Sequence, residues 1–421
     1  MSYIQNLLQL LDQSPTSFHV VENLQQDLLS KSYEELKEGE SWDLKPATKY
    51  FVTRAGGSIA IFHTPKNFSA TSSFKVIGTH TDFPGFKIKA NPFSSKEGFQ
   101  LLNVEVYGGV ILNSWFDRDL QIAGRVFYED SKGNLKSKNV KLNTIVSIPR
   151  LAIHLDREVN REGFKPNPQE HMFPVMGLAK DLKFEDWIAE ENTIDGKILS
   201  WDLFLFDAQA ASLGGINEEF IYAQGLDNVA SVHASYEAIL ASDFSENDIQ
   251  IAVAFQHEEI GSQSQNGANS NFLEAVLKRI AASTSASEQD YYAIIANSFC
   301  ISADMTHGVH PNYSSLHDPN HKPKIGGGPV IKSNANMRYA SDAFSVAKFK
   351  QWCYKAEVPV QDFCSRNDVG CGSTIGPMTA AKIGIPTLDI GNPMLSMHSI
   401  REMSGTKDHE MLIDVFKEFY K

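Results

Sequence analysis

Cysteine is scarce in this chain and poorly spaced for binding metal. The four cysteines, Cys300, Cys353, Cys364 and Cys371, include no CxxC pair, so a structural thiolate zinc site is not expected. Reduced, mostly buried thiols in a cytoplasmic protein are the expectation. Long apolar runs are missing too, and none approaches the ~18 residues that a membrane span needs. No basic run occurs, and the formal net charge is −13. That balance argues against a nucleic-acid or anionic-membrane partner, since both need basic patches. The opening "MSYIQNLLQLLDQS" lacks a basic n-region and a small-residue cleavage site. It reads as an amphipathic helix with Ile4, Leu7, Leu8 and Leu11 on one face, not as a signal peptide. Several catalytic signatures are absent: there is no GxSxG elbow and no GxxxxGK[ST] phosphate loop. His257-Glu258-Glu259 is not HExxH, because no histidine stands four residues after His257. His257 is expected to pack against the core.

What remains is a soluble globular composition, with 42% hydrophobic and 21% charged residues among 421. That length predicts two domains. Residues 1–90 read as mixed α/β, with a second helix through Phe18, Val21, Leu24 and Leu28 and a hairpin in "KYFVTRAGGSIAIFHT". Residues 91–212 change texture, to short alternating segments such as "LLNVEVYGGVIL" and "QIAGRVFYE" between polar turns. From Leu213 the α/β pattern resumes, and "IQIAVAF", "FCISAD" and "IPTLDIG" read as strands buried on both faces. A helix is expected from about Asp342, and "GCGSTIG" (Gly370–Gly376) reads as a tight turn opening another, with an anion site as the weaker alternative. The simplest organisation is one α/β domain, 1–90 plus 213–421, carrying a β-rich insertion at 91–212.

Chemistry collects where the buried strands end. "FKVIG" leads to His80 and Asp82, "IAVAF" to Glu258 and Glu259, and "CISA" to Asp304 and His307. "PTLDIG" leads to His398, and "FIYAQG" to Asp227. Open α/β sheets bind ligands outside the carboxyl ends of their strands, and five strands delivering His, Asp or Glu there point to a reaction site. Imidazole and carboxylate without thiolate suit zinc, manganese or cobalt. Three carboxylates and two histidines can hold two divalent ions and leave one glutamate spare, so the count fits a two-metal hydrolase. Asp82, two residues beyond His80, can reach the other ring nitrogen of that histidine and fix its tautomer. The adjacent acids Glu258 and Glu259 cannot share a site within an extended strand, so the sheet must end at or before them and the backbone must turn.

The blocks "GTHTD", "WFDRDL", "LAIHL", "LDN", "QHEEIGS", "ADMTHGVHPNY", "GPVIKSNANMRYASD", "RNDVGCGSTIGP" and "MHSIREM" together resemble the M18 metalloaminopeptidases, the aspartyl aminopeptidases. They run in order over nearly the whole chain. The resemblance implies a mixed sheet flanked by helices, of the zinc-exopeptidase type, with a smaller β-rich domain that mediates assembly into a dodecamer. It implies two divalent ions per subunit, zinc before cobalt or manganese. Asp227 would bridge them, with His80 and Asp304 on one and Glu259 and His398 on the other. Glu258 would be the general base, Asp82 the partner of His80, and His154 of "LAIHL" would reach a neighbouring subunit's active site. The implied substrates are short peptides with acidic N-terminal residues, which need a local cation. Lys332 is the candidate, with His307 and Tyr339 beside it. The alternatives are an aminopeptidase of neutral preference, a two-metal deacylase or carboxypeptidase of the same fold group, and a metal-stabilised shell without turnover.

Overall fold

The computed structural model describes residues 2–179 and 182–421. Its centre is a nine-stranded mixed sheet. Four strands at its middle lie parallel, in the order Ile249–Phe255, Phe74–His80, Phe299–Ala303 and Thr387–Gly391. Each is buried along almost its whole length, which accounts for their unbroken apolar sequence. Successive side chains face opposite ways. Ile77, Ala252 and Ile301 enter one core with the helices Tyr3–Gln13, Ser17–Ser30, Leu226–Ala241 and Thr406–Tyr420. Val76, Ile251 and Cys300 enter the other, against the helices Phe272–Ser283 and Glu288–Ala296. The expected hairpin is present as Lys49–Arg54 paired with Ser58–His63.

The first helix starts at a capping box, in which Ser2 and Gln5 satisfy each other's backbone amides. Asp342 and Ser345 do the same for the helix Ala343–Lys355. That helix, expected from about Asp342, buries Phe349 and Cys353.

A second, antiparallel sheet has six strands, ordered Leu135–Lys141, Leu120–Asp130, Gly196–Asp207, Gly85–Lys96, Phe99–Tyr107 and Val175–Leu178. It covers its own core around Phe86, Trp115 and Leu203, closed by Phe184, Trp187 and Ile188 of a short helix. Its strands begin at Gly85 and end at Asp207, so this sheet starts and stops earlier than the change of texture at 91 and 212 implies. A third sheet has five short strands: Ser212–Gly214, Phe220–Ala223, Glu402–Gly405, Pro393–Leu395 and Thr306–His307. Among the described residues no helix is long and apolar enough to cross a membrane. None of the four cysteines is in a disulfide.

Candidate metal centre

His80 ends the strand Phe74–His80, Asp304 follows Phe299–Ala303, and Glu258 and Glu259 follow Ile249–Phe255. These strands are adjacent and parallel, so their carboxyl ends converge. The other two donors come from elsewhere than the sequence suggests. Asp227 opens the helix after a strand of the five-stranded sheet, where it and Asn228 depart from helical geometry and share a cis peptide. His398 lies between two strands of that same sheet, Pro393–Leu395 and Glu402–Gly405. The five donors His80, Asp304, Glu259, Asp227 and His398 therefore come from two sheets, not from the edge of one.

The acidic pair is separated by a turn. The strand stops at Phe255, His257 takes a left-handed conformation with φ 67°, and Glu258–Ile260 form a 3₁₀ turn. His257, expected to pack against the core, is only half-buried and shares a 2.7 Å hydrogen bond with Ser264.

The distances define two groups around one carboxylate. Asp227 Oδ1 lies 3.5 Å from His80 Nε2, which is 3.7 Å from Asp304 Oδ1. Asp227 Oδ2 lies 3.5 Å from His398 Nε2, which is 3.4 Å from Glu259 Oε2. Ligands about 2.0–2.1 Å from a tetrahedral zinc ion stand about 3.3–3.4 Å apart, so the spacing fits ligation. His80, Asp227 and Glu259 bring one ligand atom each within 4.8 Å of one another, a cluster able to hold a metal ion. Asp227 Oδ1 and Glu259 Oε1 are buried without a hydrogen-bond donor. Buried acceptors normally have partners, and a cation would satisfy both. Glu258 Oε2 stands 4.0 Å from His80 Nε2, beside the cluster.

Two buried carboxylates hold these residues by their backbones. Asp82 accepts from Glu258 N through Oδ1 at 3.1 Å and from Glu259 N through Oδ2 at 3.2 Å. Asp82 also stays beside His80, as expected, with its closer contact made through the backbone. His80 Nδ1 bonds the backbone carbonyl of Asp82 at 3.0 Å, while the carboxylate is 3.6 Å away. The reason is that the strand ends at His80, so the two side chains do not share its pleat. Glu402, which sequence reasoning missed, accepts from His398 N at 2.8 Å and Asp227 N at 3.1 Å. Its only signal is its place in the "MHSIREM" block, four residues after His398.

The remaining predicted residues divide. His307 and Tyr339 line one concave pocket with Phe363 and Met394–Met397, and Lys332 is not part of that lining. Lys332 is buried, with Nζ 3.5 Å from Asp304 Oδ2 and 5.5 Å from the Tyr339 ring centroid. His154 stands apart, exposed beside Leu151, Ile153 and Leu155, which are 60%, 48% and 74% exposed. Gly370–Gly376 contains a tight approach: a Cβ on Gly376 would lie 2.2 Å from Asp389 Oδ2. The Thr374 hydroxyl donates to the same carboxylate at 2.6 Å, so an internal acid occupies the position an anion would take.

Crowded carboxylates shift one another. Burial pushes Glu258 up to about 8, opposed by His80 and reinforced by Asp304. Burial and Asp227 raise Glu402 to about 8 and Glu259 well above its usual range. Burial would also raise Asp227, but His398 and His80 hold it well below the carboxylate range. Burial disfavours charge on His80 and His398, yet the carboxylates facing them raise both.

These shifts set a sign for stability. Between 4.5 and about 8 the folded chain keeps protons on Glu258 and Glu402 that the unfolded chain has released, so stability falls as pH rises. The raised histidines contribute fully below 6.5 and lose that contribution as pH rises, in the same direction. Asp227 and Asp82 act the other way only below 3.8. Buried histidines such as His19 and His63, lowered to about 4, oppose this slope below 6.5, so thermal melts of chelator-stripped protein should show a midpoint that drops as pH rises from about 6.5 to 8. A divalent cation should flatten that slope by displacing the protons. A midpoint that rises with pH in stripped protein would contradict the reading.

A family model described as aminopeptidase I zinc metalloprotease (M18) matches residues 10–420. A Pseudomonas aeruginosa protein named probable M18 family aminopeptidase 2 is 41% identical over 425 residues, covering 99% of this chain and 97% of that one. The cryo-EM structure of the Ape4 and Nbr1 complex contains a similar chain, with TM-score 0.94 and 38% identity over 99% of this chain and 85% of that one. The S. cerevisiae mApe1 dodecamer gives TM-score 0.86 and 27% identity, with coverage of 99% and 95%.

Proposed function

The chain belongs to the M18 family of metalloaminopeptidases, and from that premise we propose a two-metal exopeptidase that removes acidic N-terminal residues from short peptides. The observation that carries it is Asp227, whose two oxygens face separate donor groups, His80 with Asp304 and His398 with Glu259. Each group would hold one divalent ion, zinc before cobalt or manganese, given imidazole and carboxylate donors without thiolate. Bound cations of this kind acidify water and polarise a carbonyl.

The chain's own groups do the rest. Glu258 takes the proton of the attacking water and returns it to the leaving amine. Glu258 stands beside the donor cluster, 4.0 Å from His80 Nε2, within reach of a water held there. Glu259 and Asp304 offer negative charge to the substrate's free α-amine. His154 of a neighbouring copy donates to the developing oxyanion, which agrees with its exposure among apolar neighbours. Assembly through the six-stranded sheet, in a dodecamer like that of the S. cerevisiae protein, would limit access to short peptides. A matched pair of free and Nα-acetylated peptides tests the reading. Release of the first residue from the free peptide alone supports it, and equal cleavage of both favours a deacylase.

Acidic preference needs a cation that the net charge of −13 does not supply. Most lysines are exposed, whereas the Lys332 side chain is only 3% exposed and lies against Asp304 and Tyr339. Because it touches Asp304, its loss should slow all substrates somewhat, so the informative readout is a ratio. Lys332→Met should cost Asp and Glu substrates about 30-fold more in kcat/KM than Leu, roughly 2 kcal/mol of charge pairing. Equal losses on both classes would mean that Lys332 does not set an acidic preference.

A further inference from the structure

The six-stranded sheet touches the metal centre through one strand end. Tyr107 is the last residue of the strand Phe99–Tyr107. Its hydroxyl donates to Asp82 Oδ2 at 2.7 Å. Ionised carboxylates only accept, so the direction is fixed. That same Asp82 carboxylate holds the backbone amides of Glu258 and Glu259. Two residues later the Gly109 carbonyl accepts from His398 Nδ1 at 3.0 Å, and Ile111 N donates to the His398 carbonyl at 3.1 Å. Gly108 has φ +73°, and a Cβ there would lie 3.2 Å from Glu259 Cβ. The segment from Tyr107 to Ile111 thus bears on both donor groups.

We propose that Tyr107 is a positioning residue for the metal centre, and that the Tyr107–Ile111 segment is the link by which the six-stranded sheet sets the spacing of the donors. The inference rests on the metal reading above. The Tyr107 ring is fixed edge-on against Phe204 of the same sheet, at 5.4 Å between centroids. Its hydroxyl is therefore aimed by the packing of that sheet. Any shift of the strand end moves Asp82, and with it the two amides that orient Glu258 and Glu259. The same shift moves the carbonyl that selects which nitrogen of His398 faces Asp227. Partners of ligating groups change metal affinity or activity by about 10–100-fold when removed.

Tyr107→Phe is the test, because it deletes one hydroxyl and keeps the ring on Phe204. The variant should fold and assemble as wild type by circular dichroism and gel filtration. Its Zn2+ affinity, measured by competition with a chromophoric chelator, should weaken about 10-fold, and kcat should fall about 10–100-fold with KM little changed. The visible spectrum of the Co2+-loaded variant should shift, which a merely structural role would not produce. Gly108→Ala, which pushes on Glu259 from the same segment, should change that spectrum as well. If wild type binds Zn2+ and Tyr107→Phe matches it in affinity, spectrum and kcat, the inference is overturned and the metal reading stands. If wild type takes up no Zn2+, the metal reading fails and takes this inference with it.

Discussion

Replacing Glu258 by glutamine will leave a folded, metal-binding chain whose kcat is lower by about 10²–10⁴-fold, the usual contribution of a positioned acid–base group. Three features lead to that expectation. Glu258 stands beside the donor cluster, 4.0 Å from His80 Nε2, yet its neighbour Glu259 is the carboxylate that faces His398. Its backbone amide is held by Asp82, and that bond survives the substitution. In the metal-free chain burial and surrounding acids push its carboxyl up to about 8, and cations at the neighbouring donors would free it to accept a proton. Glutamine keeps the shape and removes the proton exchange. The measurement is kcat and KM together with metal content per chain. Near-normal turnover in Glu258→Gln would assign the base elsewhere, whereas lost metal would make Glu258 a ligand.

The second large effect concerns Asp227. An amide at this position has one oxygen that can ligate and a nitrogen that only donates. Asp227→Asn can therefore serve one donor group and not the other. Metal content should fall by at least one ion per chain. A Lewis-acidic ion contributes several kcal/mol of transition-state stabilisation, so activity should fall by about 10³-fold or more. Asp227→Ala should lose both ions. Its main-chain amide still has Glu402 as acceptor, so the local turn should persist. Metal analysis of the two variants beside wild type separates the cases. Full metal content in Asp227→Asn would remove the bridging role.

Much of this was legible in the residues. The central strands are written as unbroken apolar runs because both faces are covered. His80, Asp304, Glu258 and Glu259 stand directly after three of them because that edge is where side chains can converge, whereas Asp227 and His398 come from the five-stranded sheet. Glu258 and Glu259 forced a turn, and the left-handed His257 supplies it. Other parts were hidden for identifiable reasons. Glu402 and Asp82 act on backbone amides, and no spacing of side-chain types records which amide a carboxylate will meet. Tyr107 is far from its partner in sequence and reads as an ordinary strand residue. The start of the six-stranded sheet was obscured because the pairing of Gly85–Lys96 with Phe99–Tyr107 shifts register between Ile88 and Phe93, which breaks the alternation of its first strand. Lys332 ends the buried strand Val330–Lys332, but its contacts with Asp304 and Tyr339 come from separate segments, which no local pattern records.

On this proposal Asp227 would hold two cations in one peptidase site, each with its own pair of donors. Stepwise addition of Zn2+ to chelator-stripped protein, with release of an N-terminal aspartate followed at each step, tests it most directly. Metal uptake and rate should climb together and level off at about two equivalents per chain, the occupancy of a two-metal site. A rate that is complete at one equivalent and indifferent to the second would contradict it.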